Sequence, residues 1–281
     1  MTDTPFKQIN KSLFNEIPRE LISRLPDKWE KIGDVLIMVL PSVLDKHKSI
    51  IGKRYAEILK CKTVLNDIGG IKGEFRVPKV ELIHGSKNTE TIHKENGIRY
   101  KLDPQNLMFS SGNMEERIRM ANISNKNETV VDLFAGIGYF TIPIAYYSKP
   151  KRIFACEKNP IAYDYLIKNI ALNDVSSIVE PILGDNREVS PKNVANRVIL
   201  GYIGKTEKFL TVAIDCLQNK KGILHYHDKF SDNIIPNKPM EIIEKEAEKK
   251  ECKAELLDYH HVKTYAPGIS HYVFDIKIGD K

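Results

Sequence analysis

The chain has 281 residues, with 43 lysines and arginines against 37 acidic residues and a formal net charge of +6. This length suits two domains, and the small basic excess permits a polyanionic partner without requiring one. No apolar stretch approaches the length of a membrane span, and the polar first residues lack a signal-peptide pattern, so we expect a cytoplasmic protein without membrane contact. The four cysteines are scattered, with no pair at zinc or redox spacing, and are expected to be reduced core residues.

The N-terminal third predicts a helical segment followed by a small α+β module. Apolar residues recur every four positions from Leu13 to Leu25, which predicts one helix over about 11–25 that ends before Pro26. Beyond it we expect a strand over 35–40, a helix over about 42–59, and short strands at 63–65, 74–77, 79–83, 89–93 and 98–102. This part of the chain is therefore divided into a helical extension, residues 1–26, and a small domain, residues 27–105.

Residues 129–141 combine a short apolar strand with a glycine-rich turn that leads into a helix. Gly136 and Gly138 let the backbone approach a ligand closely. A dinucleotide turn needs a third glycine three residues after the second, and Thr141 stands there. The next apolar run ends in Glu157, about twenty residues after the glycines, where a carboxylate can accept from both hydroxyls of a ribose. The pattern favours a nucleoside over a dinucleotide and argues against a nicotinamide-dependent oxidoreductase.

A third apolar run, residues 178–183, ends in Gly184, Asp185 and Asn186. Three successive strands that end in small or polar clusters describe one ligand crevice along the carboxyl edge of an open α/β sheet. Helices and strands then alternate, and the remaining elements are expected at 159–173, 198–200, 206–217, 223–226, 238–250, 254–259 and 271–278. A seven-stranded sheet results, and we assign residues 106–281 to this catalytic domain.

This pattern resembles the class I S-adenosylmethionine-dependent transferases, which have a Rossmann-like α/β fold. The resemblance implies that the glycine turn passes under the methionyl portion of the cofactor, that the acid after strand two holds the ribose, and that the acid after strand three contacts the adenine. Carried over to this chain, the cofactor-binding residues are Phe134, Ala135, Gly136 and Gly138 for the first role, Glu157 for the second, and Asp185 with Asn186 for the third. Tyr139 and Tyr202 are candidates to stack on the cofactor or the base, or simply to pack.

Several motifs are similar to those of a narrower group, the archaeal and eukaryotic enzymes that modify the guanosine 3′ of the tRNA anticodon. The motifs are Gly-Glu-Phe-Arg-Val at 73–77, Thr-Glu-Thr-Ile-His-Lys-Glu-Asn-Gly at 89–97, Phe-Ser-Ser-Gly-Asn at 109–113 with Glu-Arg at 116–117, and Tyr-Ala-Pro-Gly at 265–268. The similarity covers about residues 27–278. Two activities occur in this group: methylation of guanine N1, and transfer of the 3-amino-3-carboxypropyl group of S-adenosylmethionine to a tricyclic guanine in wybutosine synthesis.

The end of the fourth strand of this predicted sheet, residues 198–200, separates these two activities. The methyltransferase pattern has an asparagine followed by a proline there, whereas this chain has Gly201, Tyr202, Ile203 and Gly204, as the aminocarboxypropyl members do. The resemblance therefore implies an aminocarboxypropyltransferase that acts on tRNA-Phe and releases methylthioadenosine, with the guanine-N1 methyltransferase as the alternative. A non-catalytic RNA-binding protein with a vestigial cofactor fold is a third reading, against which the intact strand-end residues weigh.

We expect Ser111 and Arg117 to hold the amino-acid end of the cofactor, with Arg117 matching its carboxylate, and place Arg117 and Tyr202 at the reacting centre. In this interpretation Ser111 or Asn113 caps a helix whose exposed N–H donors, together with Arg117, meet an anion at the glycine turn. The alternative is that Arg117 and Arg119 are solvated charges on a connecting helix.

The expected partner is the anticodon arm of tRNA-Phe, with no obligatory protein partner. The basic residues assigned to it are Lys72, Arg76, Lys79, Lys87 and Lys94, although for each alone a solvated surface charge is the commoner outcome. His225, His227, His260 and His261 lack a cysteine or carboxylate at ligand spacing, so no metal site is expected.

Overall fold

In the computed structural model, which describes residues 3–281, the chain forms two compact units that divide between Ser111 and Gly112. The helices of the first unit are α1 (Pro5–Leu13) and α2 (Lys48–Leu59), with 3-10 turns at Arg19–Arg24 and Ser42–His47. Its strands are β1 (Glu30–Ile32), β2 (Val35–Met38), β3 (Thr63–Lys72), β4 (Val77–Gly85), β5 (Thr91–Glu95) and β6 (Ile98–Leu102).

The first unit is built on a four-stranded sheet in the order β1-β2-β3-β4, with β2 and β3 parallel and the other pairs antiparallel. The strands β5 and β6 form a separate hairpin whose turn contains Asn96 and Gly97, both at positive φ. An Asn-Gly pair favours this kind of tight turn. Apolar residues from the start of the chain, such as Ile9 and Leu13, share one core with Tyr55 of α2.

The prediction of a single helix over 11–25 is wrong. Helix α1 begins earlier because Pro5 takes its first turn and the Thr4 side chain accepts a hydrogen bond from the Lys7 N–H. It ends at Leu13, and Pro18 cannot continue a helix because its ring clashes with the preceding turn. Apolar residues at four-residue spacing still reach the same core, so the pattern predicted burial correctly and helix continuity incorrectly.

Strands β3 and β4 are longer than predicted. Gly69 and Gly70, which were expected to form a turn between strands, lie inside β3 where its register with β4 shifts. The Asp67 carboxylate accepts hydrogen bonds from both glycine N–H groups, at 3.0 and 2.6 Å, and stabilises this irregularity.

The second unit carries the larger sheet. Its helices are α3 (Met114–Met120), α4 (Thr141–Tyr147), α5 (Pro160–Leu172), α6 (Asn186–Val189), α7 (Leu210–Cys216) and α8 (Asn237–Glu248). Its strands are β7 (Thr129–Asp132), β8 (Arg152–Glu157), β9 (Val179–Leu183), β10 (Arg197–Leu200), β11 (Gly222–Ser231), β12 (Cys252–Ala266) and β13 (Ile269–Asp280).

The strand order is β12-β13-β11-β10-β7-β8-β9, so the predicted seven-stranded α/β sheet is confirmed. Five strands, from β11 to β9, are parallel, and β13 and β12 complete the sheet as an antiparallel pair. The chain order reverses between β7 and β10, and open α/β sheets bind ligands at the carboxyl ends of the strands around such a reversal. The fold therefore predicts a ligand site at the residues that follow β7, β8, β9 and β10.

The two edges of this sheet are irregular. The register of β12 with β13 shifts at three places along its length, between Leu256 and Asp258, between His261 and Lys263, and between Thr264 and Ala266. On the opposite edge, β9 contains Pro181, which has no N–H to donate.

Candidate functional site

The turn after β7 has the backbone geometry that its glycines predict. Gly136 has φ +57° and Gly138 has φ +99°. A Cβ atom on Gly136 would lie 2.6 Å from the ring of Tyr139, and one on Gly138 would lie 2.5 Å from Ile142. Both positions therefore exclude a side chain by conformation and by space. Tyr139 packs over the turn and is half-buried, as is Phe134.

Asp132, the last residue of β7, stabilises this turn through hydrogen bonds to its carboxylate. Its carboxylate accepts hydrogen bonds from the Phe134 N–H at 3.2 Å and from the Thr141 hydroxyl at 2.7 Å. Both Asp132 and Thr141 are fully buried, and burial raises the pKa of the Asp132 carboxyl to about 6. Thr141, in the place of a third glycine, thus ties the start of α4 to the end of β7. Sequence analysis assigned no role to Asp132.

Glu157 lies at the end of β8, and its carboxylate spans the glycine turn and the start of the next helix. One oxygen accepts from the Gly136 N–H and the other from the Asn159 N–H, both at 2.7 Å. Burial raises the pKa of Glu157, while these N–H donors favour the charged form. A carboxylate has about four acceptor positions, so it can accept from a ligand hydroxyl while it keeps its backbone contacts.

Asp185 and Asn186 follow β9, and the two side chains are held differently. Asp185 caps α6 and contacts Arg187 and Lys158, and the Arg187 guanidinium holds the pKa of the Asp185 carboxyl well below its usual range. The Asn186 amide donates to the Leu133 carbonyl at 2.8 Å, which joins the ends of β9 and β7. Its Oδ1 atom is buried and has no hydrogen-bond partner within the described chain. A buried acceptor without a partner is costly, and an exocyclic amino group such as that of adenine satisfies it.

The loop Gly201–Lys205 follows β10, which is the fourth strand of the second unit in chain order, and we call it the strand-four loop. It turns towards the glycine turn. Its Tyr202 ring stacks on Phe134, with ring centroids 4.9 Å apart and an angle of 21° between the planes. Phe209 packs edge-on against Phe134 at 4.8 Å and contacts Tyr202 as well. A Cβ on Gly201 would lie 3.0 Å from Phe140. Aromatic packing therefore joins the loop to the turn after β7.

The carboxylate of Asp228, on β11, holds the strand-four loop from the other side. It accepts hydrogen bonds from the Gly204 N–H at 2.7 Å and from the Thr206 N–H at 2.9 Å. The Thr206 hydroxyl in turn donates to the Tyr202 carbonyl at 2.8 Å. Asp228 was not among the predicted site residues, although it closely follows the apolar run predicted at 223–226, as Glu157 and Asp185 follow theirs.

Arg117 and Arg119 lie on α3, and neither is a solvated surface charge. Arg117 is 3% exposed. Arg119 forms ion pairs with Glu116 at 2.8 Å and with Asp275 of β13 at 2.7 Å. Burial raises the pKa of Glu116. Helix α3 is therefore anchored to the sheet through Arg119.

Ser111 is the last residue of the first unit, and its N–H donates to the Glu30 carboxylate at 3.1 Å. It belongs to the short 3-10 turn that precedes α3. The other predicted site residues, from Arg117 to Tyr202, all lie in the second unit.

The histidines of β11 are part of a buried polar network. His225 lies between Asp275 at 2.6 Å and Arg197 at 2.7 Å. Because a carboxylate only accepts and a guanidinium only donates, the His225 ring is neutral with its proton on Nδ1, consistent with the lowering of its pKa by burial. His227 contacts His271 at 3.2 Å and stacks on Phe140. Among residues 3–281, no group of three or more His, Cys, Asp or Glu side chains is arranged to hold a metal ion.

Two protein-family models match the chain: the TYW2 N-terminal domain over residues 9–89, and the TRM5/TYW2 methyltransferase domain over residues 91–255. The chain belongs to the TRM5/TYW2 family. The predicted family resemblance is thereby confirmed. The model that matches the N-terminal part of the chain describes TYW2 proteins.

Individual members of the TRM5/TYW2 family match over most of their length. The tRNA(Phe) (4-demethylwyosine(37)-C(7)) aminocarboxypropyltransferase of Methanocaldococcus jannaschii is 49% identical over 252 residues, which cover 89% of this chain and 97% of that protein. The crystal structure of P. horikoshii TYW2 in complex with MeSAdo has a TM-score of 0.88 and 38% identity, covering 98% of this chain and all of that one. The structure of M. jannaschii TYW2 in complex with AdoMet has a TM-score of 0.74 and 44% identity, covering 90% and 100%.

None of the helices in the described part of the chain combines the length and the apolar character needed to cross a bilayer.

Proposed function

We propose that this protein transfers the 3-amino-3-carboxypropyl group of S-adenosylmethionine to C7 of 4-demethylwyosine at position 37 of tRNA(Phe) and releases methylthioadenosine. The proposal is supported by 49% identity to the M. jannaschii aminocarboxypropyltransferase over nearly its whole length. The relative from P. horikoshii binds MeSAdo, the by-product that aminocarboxypropyl transfer leaves. The observation that carries the choice of activity is the strand-four loop, where Gly201 and Tyr202 stand in place of a carboxamide that would orient a guanine N–H.

The residues at the ends of β7, β8 and β9 fit the nucleoside portion of S-adenosylmethionine. The Glu157 carboxylate, held by backbone N–H groups, suits the ribose hydroxyls as an acceptor, and the buried Oδ1 of Asn186 suits an amino group of adenine. Asp185 is held charged beside the same strand end. We assign Phe134, Ala135, Gly136, Gly138 and Tyr139 to the wall under the methionyl portion.

When bound, S-adenosylmethionine supplies a sulfonium whose three attached carbons are open to displacement, so alignment decides which group is transferred. We propose that Arg117 binds the carboxylate of the amino-acid end, because a guanidinium matches a carboxylate with two parallel hydrogen bonds. The role of Ser111 at the cofactor stays a prediction. Tyr202, stacked on Phe134, forms the wall that the incoming base meets. Such positioning and exclusion of water lower the barrier without a covalent enzyme intermediate.

We further propose that the first unit meets the anticodon arm. Lys72, Lys79, Lys87 and Lys94 are exposed, and Arg76 is partly buried. Lys94 also lines a groove of about 780 Å³ with Lys31, Lys62 and Lys101, where Asp34 and Glu90 offset part of the charge. Phosphate contacts of this kind would set the register of the RNA.

The assignment of residues 27–105 as the tRNA-contacting domain, residues 1–26 as an extension and residues 106–281 as the catalytic domain stays a prediction. The cytoplasmic location also stays a prediction.

The test is the identity of the small product when the purified protein is incubated with S-adenosylmethionine and tRNA(Phe) that carries 4-demethylwyosine, read by mass spectrometry. Methylthioadenosine is the expected product. S-adenosylhomocysteine would mean methyl transfer and would favour the guanine-N1 methyltransferase. The matched control is the same tRNA with unmodified guanosine at position 37, on which we expect no turnover.

A vestigial, non-catalytic RNA-binding protein would be indicated by tRNA binding without measurable affinity for S-adenosylmethionine. The intact Gly136, Glu157 and Asn186 geometry argues against that result.

A further inference from the structure

The strand-four loop lies outside any helix or strand, so its position depends on side-chain contacts. It leaves β10 at Gly201 and enters the 3-10 turn that begins at Thr206. Two consecutive residues, Gly204 at φ +101° and Lys205 at φ +65°, adopt the left-handed region. These two residues make a tight turn, and the N–H groups of such a turn can face a single anion.

The anion at that point is the Asp228 carboxylate. Asp228 is 4% exposed, and its two oxygens accept from the Gly204 N–H and the Thr206 N–H on either side of Lys205. A third N–H, that of Lys229, donates to the same carboxylate at 2.8 Å. A buried carboxylate with several backbone donors is a strong and geometrically demanding contact, because either loop N–H would lose its partner if the loop moved.

Further contacts connect Asp228 to the stacked rings of Tyr202 and Phe134. Thr206, whose N–H is held by Asp228, donates its hydroxyl to the carbonyl of Tyr202. The ring of Tyr202 then stacks on Phe134 of the glycine turn. A continuous set of contacts therefore runs from β11 through the loop to the turn after β7.

We propose that Asp228 is a positioning residue that fixes the strand-four loop, and through Tyr202 sets which carbon of the bound sulfonium faces the incoming base. This inference rests on the proposed function. Asp228 acts through the loop backbone and touches neither the substrate nor the cofactor. Loosening the loop would lower turnover and let some of the reaction occur at the methyl carbon, while the nucleoside contacts at the ends of β8 and β9 stay in place.

The experiment compares Asp228→Asn with Asp232→Asn. In the Asp228→Asn variant an amide nitrogen replaces one acceptor oxygen, so one loop N–H meets a donor instead of an acceptor. Asp232 is an exposed acid close to the end of the same strand that accepts a hydrogen bond from the Tyr272 hydroxyl and makes no contact with the loop N–H groups, so its variant is the matched control.

For Asp228→Asn we expect faster hydrogen exchange at the Gly204 and Thr206 amides and a kcat lower by about 10- to 100-fold. The dissociation constant for S-adenosylmethionine, from calorimetry, should stay within about threefold of the unsubstituted protein. The share of S-adenosylhomocysteine among the small products should rise. Asp232→Asn should change none of these quantities.

A second variant covers the case in which Asp228→Asn folds poorly. Thr206→Val keeps the carboxylate and both loop N–H contacts but removes the hydroxyl that holds the Tyr202 carbonyl. It should change kcat and the product ratio in the same direction, by a smaller factor. Kinetics and product ratio equal to those of Asp232→Asn in both variants would overturn the proposal.

Failure of the proposed function would look different. If the unsubstituted protein releases only S-adenosylhomocysteine, the aminocarboxypropyl assignment is wrong. The kcat for methyl transfer in Asp228→Asn against Asp232→Asn then decides the positioning role of Asp228: a drop confined to the first variant supports it, and equal values refute it.

Discussion

The two ends of the candidate site in the second unit are built in different ways. At the proposed nucleoside end, Glu157 ends β8 and Asn186 follows β9, and each side chain hydrogen-bonds the backbone just after β7. At the other end, Tyr202 lies in a loop without regular structure. That loop is held by the Asp228 carboxylate, the Thr206 hydroxyl and aromatic packing against Phe134. The strand ends of the sheet therefore supply the geometry of the proposed nucleoside end, whereas the end proposed to select the reaction depends on a few contacts that substitution can loosen.

The largest effect is expected where the nucleoside end depends on a buried carboxyl group. In the folded protein the pKa of Asp132 is raised from 3.8 to about 6, so the unfolded chain releases this proton at lower pH than the folded one. Stability from this group is therefore fully present below about pH 4 and is lost as the pH rises to about 6. The shift corresponds to about 3 kcal/mol. Asp132→Asn, which cannot ionise, should escape this loss.

Chemical denaturation of both proteins at several values between about pH 4 and pH 7 measures this difference. The stability of Asp132→Asn relative to the unsubstituted protein should increase over that range. A gap that does not change with pH would mean that Asp132 titrates normally and that the turn after β7 does not depend on a protonated carboxyl.

The next largest effect is a difference in the binding of two ligands, which distinguishes the two ends of the candidate site. Methylthioadenosine lacks the amino-acid chain, so Arg117→Gln should weaken binding of S-adenosylmethionine by about 100-fold and leave methylthioadenosine binding nearly unchanged. Isothermal titration calorimetry with both ligands measures this. Arg152→Gln, at an exposed arginine on β8, is the control. An equal loss for the two ligands would place Arg117 at the nucleoside end or in the fold alone.

The smallest effect is expected at Glu157, and it should be shared by both ligands. Glu157→Gln keeps the size of the side chain but removes the charge that strengthens its hydrogen bonds to a ribose, so both dissociation constants should rise about tenfold. Glu180→Gln, an exposed acid on β9, should leave both constants unchanged. A loss confined to S-adenosylmethionine would contradict the assignment of Glu157 to the ribose.

Local patterns predicted the ends of β7, β8 and β9 well. A β-branched run followed by two glycines, and polar residues after the next two runs, determine structure within a few residues of themselves, and the seven-stranded sheet follows from their alternation. The prediction of a single helix over 11–25 was wrong because the spacing of apolar residues indicates which residues are buried. It does not indicate whether the helix can continue through Pro18.

The contacts that hold the other end could not be read from local patterns. Asp228 meets the loop 22 and 24 residues earlier in the chain, and Arg119 pairs with Asp275 at a separation of 156 residues. Partners this far apart are set by strand order and register. The sequence gives residue types but not these distant partners, so it could not distinguish an ion-paired Arg119 from a solvent-exposed one.

The irregular edges of the large sheet have a consequence for the handling of this protein. An outer strand that is flat and regular offers unpaired N–H and C=O groups to the strands of other molecules, which leads to aggregation. Here Pro181 removes one donor from β9, and the three register shifts bend β12, where Glu255 also pairs with Lys277 at 3.3 Å. Replacing Pro181 with a β-branched residue, or deleting a bulge residue from β12, would restore a template for intermolecular pairing and should be avoided in variants intended for concentrated samples.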